Sequence, residues 1–259
     1  MTAHTDRAQQ VELREDHAAQ FLASRIVERI DGQNTTTRLD FGAAIAGLVS
    51  RSSDSAGESR GDDTAGQAST ERLLVGIVGA PGAGKSTITA AVAELLSARG
   101  IDTAILPMDG FHLSNVQLGR LGLSQVKGAP QTFDAAGFVG LLRRIVQGHQ
   151  DVYVPVFHRE IEESYAADGV VSVAAQVVLI EGNYLLLDDW GFEPVRSLLS
   201  ESWYLAPDEQ VRIDRLVLRH VHHGRSPQDA IEWALGTDQR NAELIAASCD
   251  RADLIVHLT

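Results

Sequence analysis

The chain has 259 residues, of which 44% are hydrophobic and 22% are charged, and this length is enough for one α/β domain with its own core. Its formal net charge of −13 argues against a broad surface for nucleic acid or for an anionic membrane, because both partners are themselves negative. The single cysteine, Cys249, excludes an internal disulfide framework and fits a reducing compartment.

The N-terminal residues MTAHTDRAQQ are polar and lack the apolar segment of a secretion signal. No part of the sequence approaches the roughly 18 consecutive apolar residues that cross a bilayer, so we expect a cytoplasmic protein. A helix is predicted next from five apolar residues at helical spacing: Ala18, Phe21, Leu22, Ile26 and Ile30. This apolar face is too short for a stable coiled coil, so we prefer docking onto the rest of the protein, with a homodimerisation helix as the alternative.

A polar segment separates this helix from the rest of the chain. Residues 51–70 are rich in Ser, Gly and Asp and cannot bury enough apolar surface to offset the entropy lost on ordering. We therefore predict three parts, namely an N-terminal helical extension at residues 1–50, a flexible linker at 51–70 and a main domain at 71–259.

The main domain alternates short apolar runs with longer amphipathic stretches. Five runs predict strands, at residues 73–78, 103–106, 177–180, 203–205 and 254–258. Four stretches between them predict helices, at residues 86–98, 135–147, 209–221 and 227–235. Continuous apolar strands that alternate with helices indicate an α/β fold with a mostly parallel sheet covered on both faces.

A glycine-rich loop follows the first of these strands and fits the pattern G-x-x-x-x-G-K-[ST]. Glycines let successive backbone amides turn toward phosphate oxygens, and the following helix adds its positive N-terminal end. We expect Lys85, one of only two lysines in the chain, to reach the β- and γ-phosphates, and Ser86 to ligate Mg²⁺. The predicted site for ATP comprises Gly79, Ala80, Pro81, Gly82, Ala83, Gly84, Lys85, Ser86 and Thr87.

Two acidic residues end later strands of the main domain. Asp109 follows the second strand in LPMDGFHL, and Glu181 follows the apolar run VVLI. Ligands of open parallel sheets bind beyond the carboxyl ends of the strands, so both carboxylates should face the phosphate loop. We predict that Asp109 accepts a proton from a substrate hydroxyl and that Glu181 acts on Mg²⁺ or its water. The alternative for each residue is a carboxylate that only caps or turns the chain.

The segment RIDRLVLRHVHHGRS concentrates positive charge in an acidic chain. Arg212, Arg215 and Arg219 share one helical face, and Arg225 follows in the next turn. We expect Arg219 and Arg225, together with Lys85, to stabilise charge on a transferring phosphoryl group from a mobile lid. For Arg212 we prefer a solvated position paired with nearby acids.

Together these residues resemble the P-loop kinase superfamily that contains uridine kinase, phosphoribulokinase and bacterial type I pantothenate kinase. Within it the sequence is most similar to the nucleoside/nucleotide-kinase-like branch that is sometimes called fructose transport system kinase. Seven motifs occur in order in residues 71–259: GAPGAGKST, PMDGFHLSN, KGAPQTFDAAGF, YVPVFHREIEE, LIEGNYLLL, RLVLRHVHHGRS and TDQRNAELI. The resemblance implies a P-loop NTPase fold, with a five-stranded parallel sheet in the order 2-3-1-4-5, sandwiched by helices, and an arginine-bearing lid.

The resemblance also implies where the acceptor of the phosphoryl group binds. Asp109 matches the catalytic base of the superfamily, Glu181 matches its acidic strand-end position, and Arg219 and Arg225 match its lid arginines. The candidate substrate-binding residues are Asp109, Phe111, His112, Lys127, His158, Arg159 and Glu162. This chain differs from the branch at two of its positions, with His158 in place of an aspartate and Ser164 in place of a proline.

The predicted function is an ATP- and Mg²⁺-dependent kinase for a hydroxyl of a nucleoside, a sugar or a pantothenate-like alcohol, with no nucleic-acid or membrane partner. A GTPase-like switch is one alternative, because residues 188–191 fit D-x-x-G, although no N-K-x-D string for reading guanine occurs. A non-catalytic nucleotide-binding regulator is the other. The complete set of Lys85, Asp109 and Glu181 argues against it.

Overall fold

The computed structural model describes residues 8–49 and 72–259, and of residues 34–49 it describes the helical backbone only. The predicted linker at residues 51–70 lies outside these ranges. The division of the chain into an extension, a linker and a main domain therefore stays a prediction.

Eight strands lie in the described ranges, and six of them form one sheet. In chain order the strands are β1 (Gln9–Leu13), β2 (Leu73–Val78), β3 (Thr103–Pro107), β4 (Val152–His158), β5 (Glu163–Val171), β6 (Val177–Gly182), β7 (Glu201–Pro207) and β8 (Leu254–Leu258). The sheet has the order β1-β8-β7-β2-β6-β3, and every neighbouring pair is parallel. The run from β3 to β8 confirms the predicted order 2-3-1-4-5, and β1 adds a sixth strand to the predicted five.

The sixth strand lies at one edge of the sheet and has no continuous apolar run, which explains why the sequence analysis missed it. Its residues QQVEL alternate between polar and apolar side chains, and only Val11 and Leu13 turn toward the core. It runs in register with β8, from Gln9 opposite Leu254 to Leu13 opposite Leu258. The N-terminal segment is therefore part of the same sheet as the phosphate loop.

The helices close to the four predicted stretches begin and end almost where the sequence placed them. In chain order the α-helices of the described residues are α1 (Glu15–Val49), α2 (Lys85–Ser97), α3 (Asn115–Leu121), α4 (Ala135–Gln147), α5 (Val195–Leu198), α6 (Glu209–His222), α7 (Pro227–Trp233) and α8 (Gln239–Ala246). The predicted helix at 227–235 instead stops as an α-helix at Trp233 and continues as a π-helical turn over Ala234–Asp238. None of the helices described for this chain is long and apolar enough to cross a membrane.

Local signals in the sequence fix several of these ends. The Ser226 hydroxyl accepts a hydrogen bond from the Asp229 amide at 3.1 Å and begins α7, with Pro227 at its first position. Gly148 ends α4 with a φ of 64°, a left-handed conformation that glycine adopts without steric cost. Short-range signals therefore set the end of α4 and the start of α7.

Two hydrophobic cores lie on opposite faces of the sheet. Alternate residues of β2 divide between them, since Leu74 belongs to one cluster and Leu73 and Val75 to the other. The second cluster includes α1, where Ala18, Leu22 and Ile26 are at most 2% exposed. The docking interpretation of this apolar face is therefore confirmed.

Strands β4 and β5 form a separate antiparallel hairpin that the sequence analysis did not predict. Pro155 sits in β4 where the register shifts between Val154 and Val156, because proline cannot donate a hydrogen bond to the ladder. The hairpin presses on the turn after β3: a Cβ at Gly110 would lie 2.3 Å from the Pro155 carbonyl oxygen. This contact fixes the turn that carries Asp109.

Candidate active site

A cavity of about 900 Å³ opens at the carboxyl edge of the sheet. It is bounded by the loop after β2, the ends of β3 and β6, the tip of the β4–β5 hairpin, and helices α6 and α7. The predicted site residues that line it are Pro81, Gly82, Ala83, Gly84, Lys85, Ser86, Thr87, Asp109, His112, Lys127, Arg159, Glu162, Glu181, Arg219 and Arg225. The structure therefore brings together fifteen residues from distant parts of the sequence.

The phosphate loop has its shape because glycine is required at two positions. Gly82 and Gly84 both have a φ of 84°, and a Cβ at Gly82 would lie 2.6 Å from the Arg212 carbonyl oxygen. Gly84 is also the N-cap of α2 and offers no side chain to bond the first amides of that helix. The amides of the first turn have no partner within the helix, so they remain available to an anion.

Lys85 holds the ligand-free loop together. Its ammonium group donates hydrogen bonds to the carbonyl oxygens of Gly79 and Ala80, at 2.8 and 3.1 Å, and to Oδ1 of Asn183 at 2.8 Å. Gly79 and Ala80 thus lie at the base of the loop, outside the cavity wall. Burial lowers the pKa of Lys85 to about 8, although the charges of Glu181 and Asp109 oppose this shift.

Ser86 and Glu181 form the oxygen pair expected for Mg²⁺. The Ser86 hydroxyl donates a hydrogen bond to Oε1 of Glu181 at 3.0 Å. Oε2 of Glu181 is buried and has no hydrogen-bond partner among the described residues, and burial raises the pKa of this carboxyl group despite the opposing effect of Ser86. A hard cation held by one carboxylate, one hydroxyl, phosphate oxygens and water fits this donor set, because Mg²⁺ prefers oxygen ligands and keeps several waters.

Asp109 lies in a 3-10 turn, Met108–Phe111, directly after β3. Its Oδ2 accepts a hydrogen bond from Nη2 of Arg159 at 2.7 Å. Burial alone would raise the pKa of this carboxyl group, but the positive charges of His112, Arg159 and Lys85 outweigh burial and lower it. Asp109 is therefore ionised near neutral pH and can accept a proton.

Arg212 is buried, which corrects the solvated position that the sequence analysis preferred. Only 2% of the residue is exposed, and its guanidinium donates to the Pro81 carbonyl oxygen at 3.0 Å and to both carboxylate oxygens of Glu209. A fourth hydrogen bond, at 2.6 Å, reaches Oε1 of Gln239. Arg212 therefore ties the phosphate loop to α6 and α8 instead of facing solvent.

The other arginines of this segment face the cavity with different partners. Arg215 pairs with Glu15 at the start of α1, at 2.6 Å, and so connects the N-terminal segment to the nucleotide side of the cavity. Arg225 lies over the ring of Trp233 at 4.1 Å from its centroid. The guanidinium of Arg219 forms no hydrogen bond or ion pair with the residues that the structure describes.

Two of the predicted substrate residues do not line the cavity. Phe111 belongs to the hydrophobic core and packs edge-on against Phe138 at 5.0 Å. His158 instead bonds Glu160 at 3.0 Å and Asp168 at 2.8 Å on the hairpin, and these two bonds raise its pKa. Alternation along β4 explains the second case, because Phe157 and Arg159 line the cavity and the residue between them points away.

Sequence analysis also missed two amides of the cavity wall. Asn183, which binds Lys85, follows β6 directly, so the strand-end argument that selected Glu181 would have found it too. Asn241 of α8 donates to the Gly128 carbonyl oxygen at 3.4 Å and is 6% exposed. No local pattern marks Asn241, because its position depends on how α8 packs.

The D-x-x-G string at residues 188–191 lies away from the cavity. Asp188 pairs instead with Arg251 at 2.8 Å, and none of the four residues lines the cavity wall.

Comparison with known proteins identifies the family. The sequence matches the Phosphoribulokinase / Uridine kinase family over residues 74–259. The chain belongs to this family. It is 35% identical over 190 residues to the uncharacterized protein YggC of Escherichia coli, covering 73% of this chain and 78% of YggC. A provisionally assigned uridine kinase of Schizosaccharomyces pombe is 31% identical over 195 residues, covering 72% of this chain and 83% of that protein.

A solved structure supports the same conclusion. The crystal structure of a provisionally assigned fructose transport system kinase from Silicibacter sp. TM1040 is 38% identical, with a TM-score of 0.66, and covers 71% of this chain and 89% of that one. Membership of the Phosphoribulokinase / Uridine kinase family makes the protein a P-loop, nucleotide-binding kinase. The predicted family and fold are therefore confirmed.

Proposed function

We propose that the protein is an ATP-dependent kinase that transfers the γ-phosphoryl group to a hydroxyl of a small molecule. The observation that carries the proposal is the convergence of the phosphate loop, Asp109, Glu181 and the lid arginines on one cavity. Family membership supports the phosphotransferase class. The nucleotide, the metal and the residue roles are inferred from the chemistry of the cavity.

Residues 79–87 and Glu181 would hold ATP and Mg²⁺, which supply the transferable phosphoryl group when bound. Lys85 is already charged at neutral pH and exchanges its carbonyl and amide acceptors for phosphate oxygens. Ser86 and Oε2 of Glu181, which has no partner in the described ranges, offer neighbouring oxygen ligands.

Asp109 orients the acceptor hydroxyl and takes its proton as the oxygen forms the new bond to phosphorus and the bond to the leaving oxygen breaks. Arg219 has no competing partner among the described residues, so its guanidinium is free to neutralise charge that develops on the transferring group. Arg225 joins it from the lid by leaving the ring of Trp233. Positioning and electrostatics therefore supply most of the rate enhancement.

An ADP-release screen over nucleosides, sugars, pantothenate and vitamin-like alcohols, followed by the variant Asp109→Asn, tests the proposal. We expect the variant to bind ATP as the wild type does and to lose about 100- to 10,000-fold in kcat, since it removes the proton acceptor but keeps the shape of the side chain. Nucleotide affinity is measured by calorimetry and turnover by coupled ADP detection.

Asp168→Asn is the matched control, because Asp168 is a carboxylate of the hairpin that does not line the cavity. Wild-type turnover in Asp109→Asn would remove Asp109 from the mechanism. Tight ATP binding without ADP formation from any acceptor would instead favour a nucleotide-binding regulator.

A further inference from the structure

The acceptor side of the cavity is the part formed by Asp109, His112, Lys127, Phe157 and Arg159. It lies beyond the ends of β3 and β4 and faces the phosphate loop. Its charges and ring contacts restrict which hydroxyl compounds can bind there.

The aromatic rings of the cavity are poorly placed to stack a nucleobase. Each ring that lines the described part of the cavity, other than His220 and His223, already packs against a cation or another ring. The contacts are Lys127 and Arg159 over Phe157 at 5.4 and 5.9 Å, Arg225 over Trp233 at 4.1 Å, and Phe133 beside His112 at 4.0 Å. A neutral nucleoside would have to displace these contacts to gain a stacking surface.

Arg159 becomes uncompensated when the acceptor hydroxyl binds. Its guanidinium makes one hydrogen bond to the described residues, from Nη2 to Asp109, and its remaining donors have no acceptor in that part of the chain. The Asp109 carboxylate must also accept a hydrogen bond from the acceptor hydroxyl. Its hydrogen bond from Arg159 is then weakened or lost. The Arg159 side chain is 42% exposed, so it loses a charge-assisted hydrogen bond when Asp109 turns to the hydroxyl, and an anion on the substrate would replace that bond.

Lys127 provides a second cation with replaceable contacts. Its side chain is 15% exposed and donates to Oδ1 of Asn115 at 2.7 Å and to the carbonyl oxygen of Glu162, whereas the carboxylate of Glu162 lies 3.7 Å away and is 59% exposed. Glu162 also has a φ of 54°, which is uncommon for a residue with a Cβ. The third cation, Arg219, lines the same cavity. Burial and then the charge of Arg159 lower the pKa of Arg219.

Given the kinase function proposed above, we propose that the acceptor carries its own anionic group, a carboxylate or a phosphate, and that Arg159 and Lys127 bind this group beside Phe157. The anion takes the place of the loosely held Glu162 carboxylate on Lys127. It also uses the free donors of Arg159. Asp109 is then left to the reacting hydroxyl.

Matched pairs of acceptors test this directly, because each pair offers the same hydroxyls with and without the anion. The pairs are D-glycerate with glycerol, pantothenate with pantothenol, and ribose 5-phosphate with ribose, with uridine as a neutral nucleoside. We expect the phosphorylated compound to be an anionic member, with kcat/KM about 100-fold above its neutral partner, as two charge-assisted contacts would give. The first two pairs report on a carboxylate and the third on a phosphate.

The variant Arg159→Gln should raise KM for the anionic acceptor by about tenfold or more and reduce the ratio between anionic and neutral members, without changing ATP affinity. Arg120→Gln on the exposed face of α3 is the control, since Arg120 does not line the cavity. Equal turnover of the neutral partners, or turnover of uridine alone, would overturn the anionic acceptor and leave the kinase function intact. ATP binding without turnover of any member would overturn both.

Discussion

Arg212 shows how one side chain can support the phosphate loop without touching a ligand. It is buried between α6, α8 and the loop, and its four hydrogen bonds include one to the carbonyl oxygen of Pro81. That contact fixes the loop in the shape that points its amides into the cavity. Such a role requires the planar fork of a guanidinium, because an ammonium group cannot reach all of these acceptors at once.

The variant Arg212→Lys should therefore both destabilise the protein and weaken ATP binding. We expect the free energy of unfolding to fall by about 1–3 kcal/mol, as the loss of charge-assisted hydrogen bonds predicts, and the Kd for ATP to rise. Urea unfolding and calorimetry measure the two effects. Arg143→Lys on the exposed face of α4 should change neither. If stability fell but the Kd for ATP did not change, Arg212 would stabilise the packing of α6 and α8 without shaping the phosphate loop.

Residue roles could be predicted where a local sequence pattern determines where the residue lies. The phosphate loop, Asp109 and Glu181 were found because glycine spacing and strand ends place them at one edge of a sheet. The solvated position predicted for Arg212 and the substrate-binding position predicted for His158 were wrong. Neither a helix spacing nor a motif position shows what packs against a residue. Burial is decided by tertiary contacts, and so is the choice between the two faces of β4.

At the scale of elements, α1 is more than an attached extension. Its Leu22 is fully buried in the core that also contains Trp203 of β7 and Leu258 of β8. Strand β1, which precedes α1, completes the edge of the sheet. The first residue of α1, Glu15, pairs with Arg215 of α6. The N-terminal segment therefore supports the side of the sheet on which α6, the helix that carries Arg219, begins.

Leu22→Ala should lower the free energy of unfolding of the whole protein by about 2–5 kcal/mol, because it removes a fully buried side chain and leaves a cavity. Denaturant unfolding followed by fluorescence measures this, with the exposed Glu28→Ala on the same helix as the control. If the unfolding midpoint of Leu22→Ala equalled that of the wild type, the N-terminal segment would unfold separately from the sheet.

Element-level prediction succeeded where a strand has a continuous apolar run and failed where that run is missing. The five predicted strands have such runs, including β3 at one edge of the sheet, and their order follows from the superfamily resemblance. β1 has only two core-facing side chains, and β4 contains Pro155, so neither has the pattern of a buried strand. The missing elements form the sheet edge and the hairpin of the acceptor side, where packing and not periodicity sets the structure.

At the scale of the whole molecule, an acidic chain has to bind a polyphosphate. With a net charge of −13 the overall field opposes the ligand, so the local cations of the cavity must supply the attraction. Lys85 is the deepest of these, and burial holds its pKa at about 8 instead of the usual 10.5. The charge of the phosphate loop therefore depends on pH close to the physiological range.

ATP affinity should fall as the pH rises through about 8, because Lys85 loses its proton in the free protein and phosphate oxygens favour the charged form. At pH 8 half of the free protein lacks this proton, so binding should take up about half a proton, which calorimetry in two buffers of different ionisation enthalpy detects. The free energy of unfolding should change in the opposite direction to the ATP affinity. Between pH 8 and 10.5 the unfolded chain holds more protons at this residue, so its contribution to folding improves as the pH rises. In Lys85→Arg the side chain stays charged, and the proton uptake should disappear. A wild-type Kd that stays flat from pH 7 to 9.5, with no uptake, would show that Lys85 keeps its proton in the empty loop.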